Sequence, residues 1–292
     1  MSTCLFSWPD RVIPSAIYTP TFTGGSWSSA LPLTNLLLPD LGSVARSSNA
    51  LAASTTFDID LKAIRQLRLF AIPDHNLSFA ATIQVQIDTE PTFSTPFYDS
   101  GAMEVWPRYY PVGSISPTHE SYADGKLTLE AAVGLRPGWW YAFPPPTMQG
   151  RYIRVTIVDT ANSAGYVQLN RFICAPVWQP AVNMSLGAQT SLVTTTEQSQ
   201  ALGGAVWFDR RTSRRSTRLT LESMTPEAAM VWAGEMQRIL GIDGELFFVF
   251  DPDDTDLLKK QRSYLATLQQ LNPIEYPYAT ATRTAFDLIE KL

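Results

Sequence analysis

The chain has 292 residues, enough for about two domains, and 45% of them are hydrophobic, which excludes a disordered polypeptide. Charged residues make up 17% and the net charge is −5, which argues against a free nucleic-acid binder, whose footprint is basic. An aromatic content of 11% with 21 prolines suits β-rich domains with wide contact surfaces.

The chain starts Met-Ser-Thr-Cys-Leu-Phe-Ser-Trp-Pro-Asp-Arg, without a basic segment leading into an apolar core. No apolar run approaches the roughly 18 residues that a membrane span needs. The expectation is a protein made and folded in a cytoplasm, with no membrane span. Cys4 and Cys174 are the only cysteines and read as reduced, buried thiols rather than a disulfide. With His75 and His119 they share no zinc-ligand spacing, so neither metal nor cofactor is expected.

Along the chain, Phe57-Asp58-Ile59-Asp60-Leu61 alternates as a strand, and Ile64 to Ile72 suggests a second, more buried one. After Pro73-Asp74-His75-Asn76, Ile83, Val85 and Ile87 alternate with Thr82, Gln84 and Gln86, a half-buried strand. Residues 91–146 are rich in Pro, Gly and aromatics, among them Trp106, Tyr109, Tyr110, Trp139, Trp140, Tyr141 and Phe143, and predict long loops with short strands. Arg151 to Asp159 then alternates cleanly, with Ile153, Val155 and Ile157 on one face. A turn from Asp159 to Gly165 follows, and alternation resumes at Val167 and Leu169. This reads as the closing hairpin of a β-sandwich over residues 1–178.

Residues 179–198 read as a linker, with Leu186, Leu192 and Val193 able to form a short strand. A smaller α+β domain is predicted over 199–292: strands at Ala205–Phe208, Arg218–Glu222, Leu246–Phe250, Tyr264–Leu271 and Ala281–Ile289, with one helix. Thr225 caps that helix, Pro226 opens it and Gly241 ends it. Ala229, Trp232, Ala233, Met236, Ile239 and Leu240 are expected on its buried stripe. The fold class is therefore mainly β, a sandwich followed by an antiparallel sheet with a helix against it.

No catalytic motif is present, and an enzyme is not expected. Asp74-His75-Asn76 reads as a structural turn and His119 as a solvated histidine. Asp251, Asp253, Asp254 and Asp256 fail the calcium-loop pattern, because Thr255 holds the fifth position and no glycine follows. They read as a strand-ending turn or as an acidic patch facing a basic neighbour. Arg210, Arg211, Arg214, Arg215 and Arg218 are five arginines within nine positions, in a segment read as a polar hairpin. A subunit contact, a solvated hairpin and nucleic-acid binding are all compatible with them. Together with Asp251, Asp253 and Asp254 they are the candidate subunit interface. Trp106, Tyr109, Tyr110, Trp139 and Trp140 are the candidate glycan loop, with core packing as the alternative for the Trp pair.

An ordered series then carries a resemblance: His75-Asn76-Leu77-Ser78, Tyr98-Asp99-Ser100-Gly101, the 151–174 segment, Pro176-Val177-Trp178-Gln179-Pro180 and Asn183-Met184-Ser185. Leu202-Gly203-Gly204, the Asp209–Arg215 segment, Gly244-Glu245-Leu246-Phe247, Asp251-Pro252-Asp253-Asp254 and Pro273-Ile274-Glu275-Tyr276-Pro277-Tyr278 continue it. The chain resembles tail-tip (baseplate) proteins of long-tailed bacteriophages, of the distal tail type. The resemblance implies a discoidin or galactose-binding-like sandwich, a tail-tube-like second domain, and no cofactor. It further implies a virion location, a homo-oligomeric ring (hexamer or trimer), and tube, hub and fibre proteins as partners. In those proteins the tube-like domain usually comes first, and here the order reads as reversed. The alternative function is a carbohydrate-binding module contacting a host-surface glycan.

Overall fold

The computed structural model describes residues 3–111, 113–128, 130, 138–142 and 148–292; Phe143 lies outside them. The protein is mainly β and forms two compact units. One contains Pro9–Val177 and Asp253–Gln261; the other contains Met1–Trp8, Trp178–Pro252 and Arg262–Leu292.

In the first unit the principal sheet has the order β2 (Thr21–Thr23), β4 (Phe57–Leu67), β10 (Met148–Val158), β6 (Thr82–Asp88) and β7 (Tyr98–Asp99), with β8 (Met103–Glu104) also on β6. A three-stranded sheet joins β12 (Ile173–Ala175), β5 (Leu69–Ile72) and β9 (Trp139–Ala142), and β11 (Gln168–Leu169) pairs with β3 (Ala45–Arg46). Period-two patterning builds the core. Ile153 lies in register with Ile59 and Ile87, and Val155 with Phe57 and Val85. All six are fully buried. Each such side chain contributes about 1.5–3 kcal/mol on burial, and Phe70, Ile72, Leu169 and Phe172 belong to the same core. On the other face of β10, Arg154 grips Asp58 with two hydrogen bonds of 2.7 and 2.8 Å.

The expected closing hairpin does not form. β10 pairs with β4 and β6, whereas β11 pairs with β3. Alternation identifies a strand but carries no information about its partner.

The second unit is an antiparallel sheet in the order β13 (Val177–Trp178), β1 (Leu5–Ser7), β18 (Glu245–Val249), β19 (Ser263–Leu268), β21 (Ala281–Glu290), β17 (Arg214–Met224) and β14 (Gln189–Val193), with β20 (Glu275–Tyr278) on β21. β1 pairs with β18, and Phe6 lies 5.2 Å from the Trp178 ring and 5.4 Å from Phe248 and from Phe286. The first strand of the chain is thus core to the second unit. This corrects the linear division into 1–178, 179–198 and 199–292. The chain runs from the α+β unit into the sandwich at Pro9, returns at Trp178, and gives Asp253–Gln261 to the sandwich once more, so the sandwich is inserted in two pieces. Residues read as a linker supply β14 and the start of β15 (Glu197–Gln200).

The helix starts as read: the Thr225 hydroxyl accepts a hydrogen bond from the Ala228 amide, and Gly241 ends it at φ 55°. It runs from Pro226–Ala228 through a π-helical turn, Ala229–Gly234, into Glu235–Leu240. Ala229, Ala233, Met236 and Leu240 are buried as expected, but Trp232 and Ile239 are 45% and 52% exposed. The buried four keep the 4, 3, 4 spacing of an ordinary helical stripe, and Trp232 and Ile239 lie at its edge, where Trp232 still stacks on Trp178 at 6.4 Å.

Candidate functional site

The aromatic loop residues form mostly core. The Trp106 indole donates to the Leu77 carbonyl at 3.0 Å and packs against Phe79 at 4.9 Å. The Lys260 ammonium sits 3.2 Å from the Trp106 ring centroid. Trp106, Tyr109 and Trp139 are buried, and burial, with Asp256 nearby, raises the Tyr109 phenol above its ordinary range. These three leave the candidate glycan site, because rings sealed in a core cannot stack on a sugar. Tyr110 and Trp140 remain half-buried. Tyr110 lies 5.6 Å from His119, whose Nδ1 caps a short 3₁₀ helix, Glu120–Tyr122, and Tyr122 is exposed. His119, read only as solvated, is therefore a ring neighbour of Tyr110, and Tyr122, not singled out from sequence, is exposed at the end of the short helix that His119 caps.

The turn after β10 is structural. The buried Asp159 carboxylate accepts from the Ser78 amide at 3.0 Å, from the Ser78 hydroxyl and from the Asn162 amide group at 2.8 Å. Asn76 bridges the Gln168 amide and the Tyr166 carbonyl. His75 is buried, its Nδ1 accepting from the Leu77 amide. Burial first, then the Lys260 charge, lowers its pKa to about 3. It stays neutral at physiological pH, as a turn residue requires.

Most of the arginines are paired within the chain. Arg215 holds Glu290 at 2.5 Å and donates to the Ser263 carbonyl at 3.2 Å. Arg218 pairs with Asp287 at 3.3 Å, and Arg211 pairs with Asp209 at 3.1 Å and Glu197 at 3.2 Å. These three arginines are used inside their own unit. Arg210 and Arg214 have no ion-pair partner among the described residues. Asp251 is buried in the α+β unit, whereas Asp253 and Asp254 belong to the sandwich unit. Asp256 goes on to open a helix, Asp256–Arg262, that is not evident in the sequence behind those acids.

The arginine segment is also not a hairpin turn. β16 (Val206–Asp209) pairs with β15, and β17 pairs with β14, so the four strands nest as one long hairpin. Its outer half, β15 and β16, is exposed along its whole length. Trp207 and Phe208 there are 67% and 64% exposed, with Leu202 at the tip. This arm was missed because the apolar run Ala205–Phe208 has the composition of an ordinary buried strand.

No family model and no curated protein matches this chain. Among solved structures it is similar to a fucose binding module of Streptococcus pneumoniae, at 12% identity and a TM-score of 0.36, covering 57% of this chain and 94% of that one. It is similar to CBM32-1 from a family 31 glycoside hydrolase of Clostridium perfringens, at 13% identity and a TM-score of 0.34, covering 57% and 99%. It is also similar to the lectin domain of lectinolysin complexed with Lewis B antigen, at 11% identity and a TM-score of 0.36, covering 59% and 98%.

Proposed function

We propose that this chain is a non-catalytic structural subunit that assembles with copies of itself through the α+β unit and presents the sandwich as an inserted recognition module. In the setting implied by its resemblance, that is a ring in the tail tip of a long-tailed bacteriophage. The observation that carries this reading is the arm. A two-stranded ribbon is marginally stable alone in water, and this one exposes Trp207 and Phe208 on opposite faces. Such exposure is costly unless another surface covers it. Light scattering across a concentration series tests the reading: oligomers forming with rising concentration are expected, and a monomer at every concentration overturns it.

A second reading concerns the sandwich alone. Tyr110, His119 and Tyr122 offer half-exposed and exposed rings on one loop cluster, a chemistry suited to stacking on sugar faces. A glycan array probed with the intact protein should show a signal that the Tyr110→Ala, Tyr122→Ala double variant loses. No wild-type signal would exclude this use of the sandwich.

A further inference from the structure

The arm has a counterpart on the same unit. Outside its buried stripe the helix exposes Val231 and Ile239, each about half accessible, while Trp232, 45% exposed, stacks on the core residue Trp178 at 6.4 Å. Ala229, Ala233, Met236 and Leu240 make the helix's core contacts, and neither Val231 nor Ile239 packs on that core. The unit therefore carries two apolar surfaces, one on a strand ribbon and one on a helix.

Their uncompensated charges are opposite. Near the arm, Arg211 takes both Glu197 and Asp209, which leaves Arg210 and Arg214 without a partner among the described residues. Along the helix, Arg238 takes Glu235 at 2.7 Å. Glu227 and Asp243, at its two ends, are exposed and have no partner among the described residues. Two free cations at the base of the arm thus have a complement in two free anions at the ends of the helix. Apolar cores rimmed by complementary charge are what specific interfaces use for affinity and for register.

We infer that the arm of one copy docks on the outer helix face of the next copy, Trp207 or Phe208 against Val231 and Ile239, with Arg210 and Arg214 toward Glu227 and Asp243. The contact joins two different patches, so it is head-to-tail and propagates until a ring closes or a filament grows. This inference rests on the self-assembly reading and names the surfaces that carry it.

The test uses the full chain and two variants, an arm variant (Trp207→Ser, Phe208→Ser) and a helix variant (Val231→Ser, Ile239→Ser), all four positions being exposed. Circular dichroism melts first establish that both fold as wild type. Each variant should then need about thirtyfold more protein to assemble, the loss typical of removing a central interface anchor. Mixed in equal amounts, the two variants should form one-to-one dimers and nothing larger, because only one intact arm can meet one intact helix. As a second measurement, Phe208→Cys and Val231→Cys in one chain should give a ladder of crosslinked copies under a short bismaleimide, since both native cysteines are buried. If wild type assembles and either variant assembles equally well, the docking is wrong while self-assembly stands. If folded variants stay monomeric on mixing and no ladder forms, the docking is also wrong. If wild type is a monomer throughout, both fail together.

Discussion

Asp10 shows how one side chain ties distant residues of the sandwich unit. Its carboxylate takes the Arg171 guanidinium at 2.9 Å and the amides of Val12 and Cys174 at 3.0 and 3.1 Å. Arg171 is 1% exposed, so Asp10→Ala strands a buried cation, at a cost of about 3–5 kcal/mol. Urea unfolding should show a midpoint lowered to match, and an unchanged midpoint would remove the pair from the stability argument. His75 gives a pH signature. Its folded pKa of about 3 lies below its ordinary 6.5, so below pH 6.5 the unfolded chain takes up a proton that the folded one refuses. Stability should fall as pH drops from about 6.5 toward 3. His75→Asn keeps an acceptor for the Leu77 amide and should flatten that part of the profile; an unchanged slope assigns it elsewhere. The turn at Asp74-His75-Asn76 is legible in sequence from its residue types. The burial of its histidine is not, because Trp106 and Leu169, which lie against it, come from distant parts of the chain.

At the scale of elements, capping and period-two patterns transfer well from sequence, since both are local. Thr225→Ala should cost about 1 kcal/mol by freeing the Ala228 amide, readable in thermal unfolding. Thr225→Asp should retain most of that stability; if both substitutions cost the same, the cap contributes nothing. The strands β6 and β10 are readable from alternation for the same local reason. The partner of β10 is not, because pairing depends on which apolar faces meet across roughly a hundred residues. The helix shows the limit from the other side. Its ends follow residue chemistry, but Trp232 and Ile239 sit at the edge of its buried stripe, and how far an edge residue is covered depends on its neighbours in the fold. The arm at Glu197–Asp209 is likewise invisible in sequence, since exposed and buried Val-Trp-Phe strands share one composition.

For the whole molecule, the insertion has a direct consequence. β1 and β13 are neighbours in the sheet, and the Trp8 and Trp178 rings lie 6.0 Å apart. Replacing residues 9–177 and residues 253–261 each with a short glycine-serine linker should therefore leave the α+β unit folded, with its Phe6, Trp178, Phe248 and Phe286 cluster intact. Near-ultraviolet dichroism and a cooperative melt are expected from that variant. A molten or aggregated product would mean that the sheet needs the sandwich. The same deletion bears on recognition: a variant that still assembles but loses any glycan signal would assign assembly and recognition to separate units.

By itself the sequence determines a mainly β protein of two parts, the faces of its best strands, the caps of its helix and the turn from Asp159 to Gly165. Each of these depends on residues within a few positions of one another. Only the tertiary structure decides that Leu5 and Phe6 belong with Phe248 and Phe286, and that Trp106, Tyr109 and Trp139 are core rather than surface. It also decides that Arg215 and Arg218 serve their own sheet while Arg210 and Arg214 do not. Those outcomes depend on which surfaces remain after long-range pairing has buried the rest. Residue type and spacing alone do not encode that remainder.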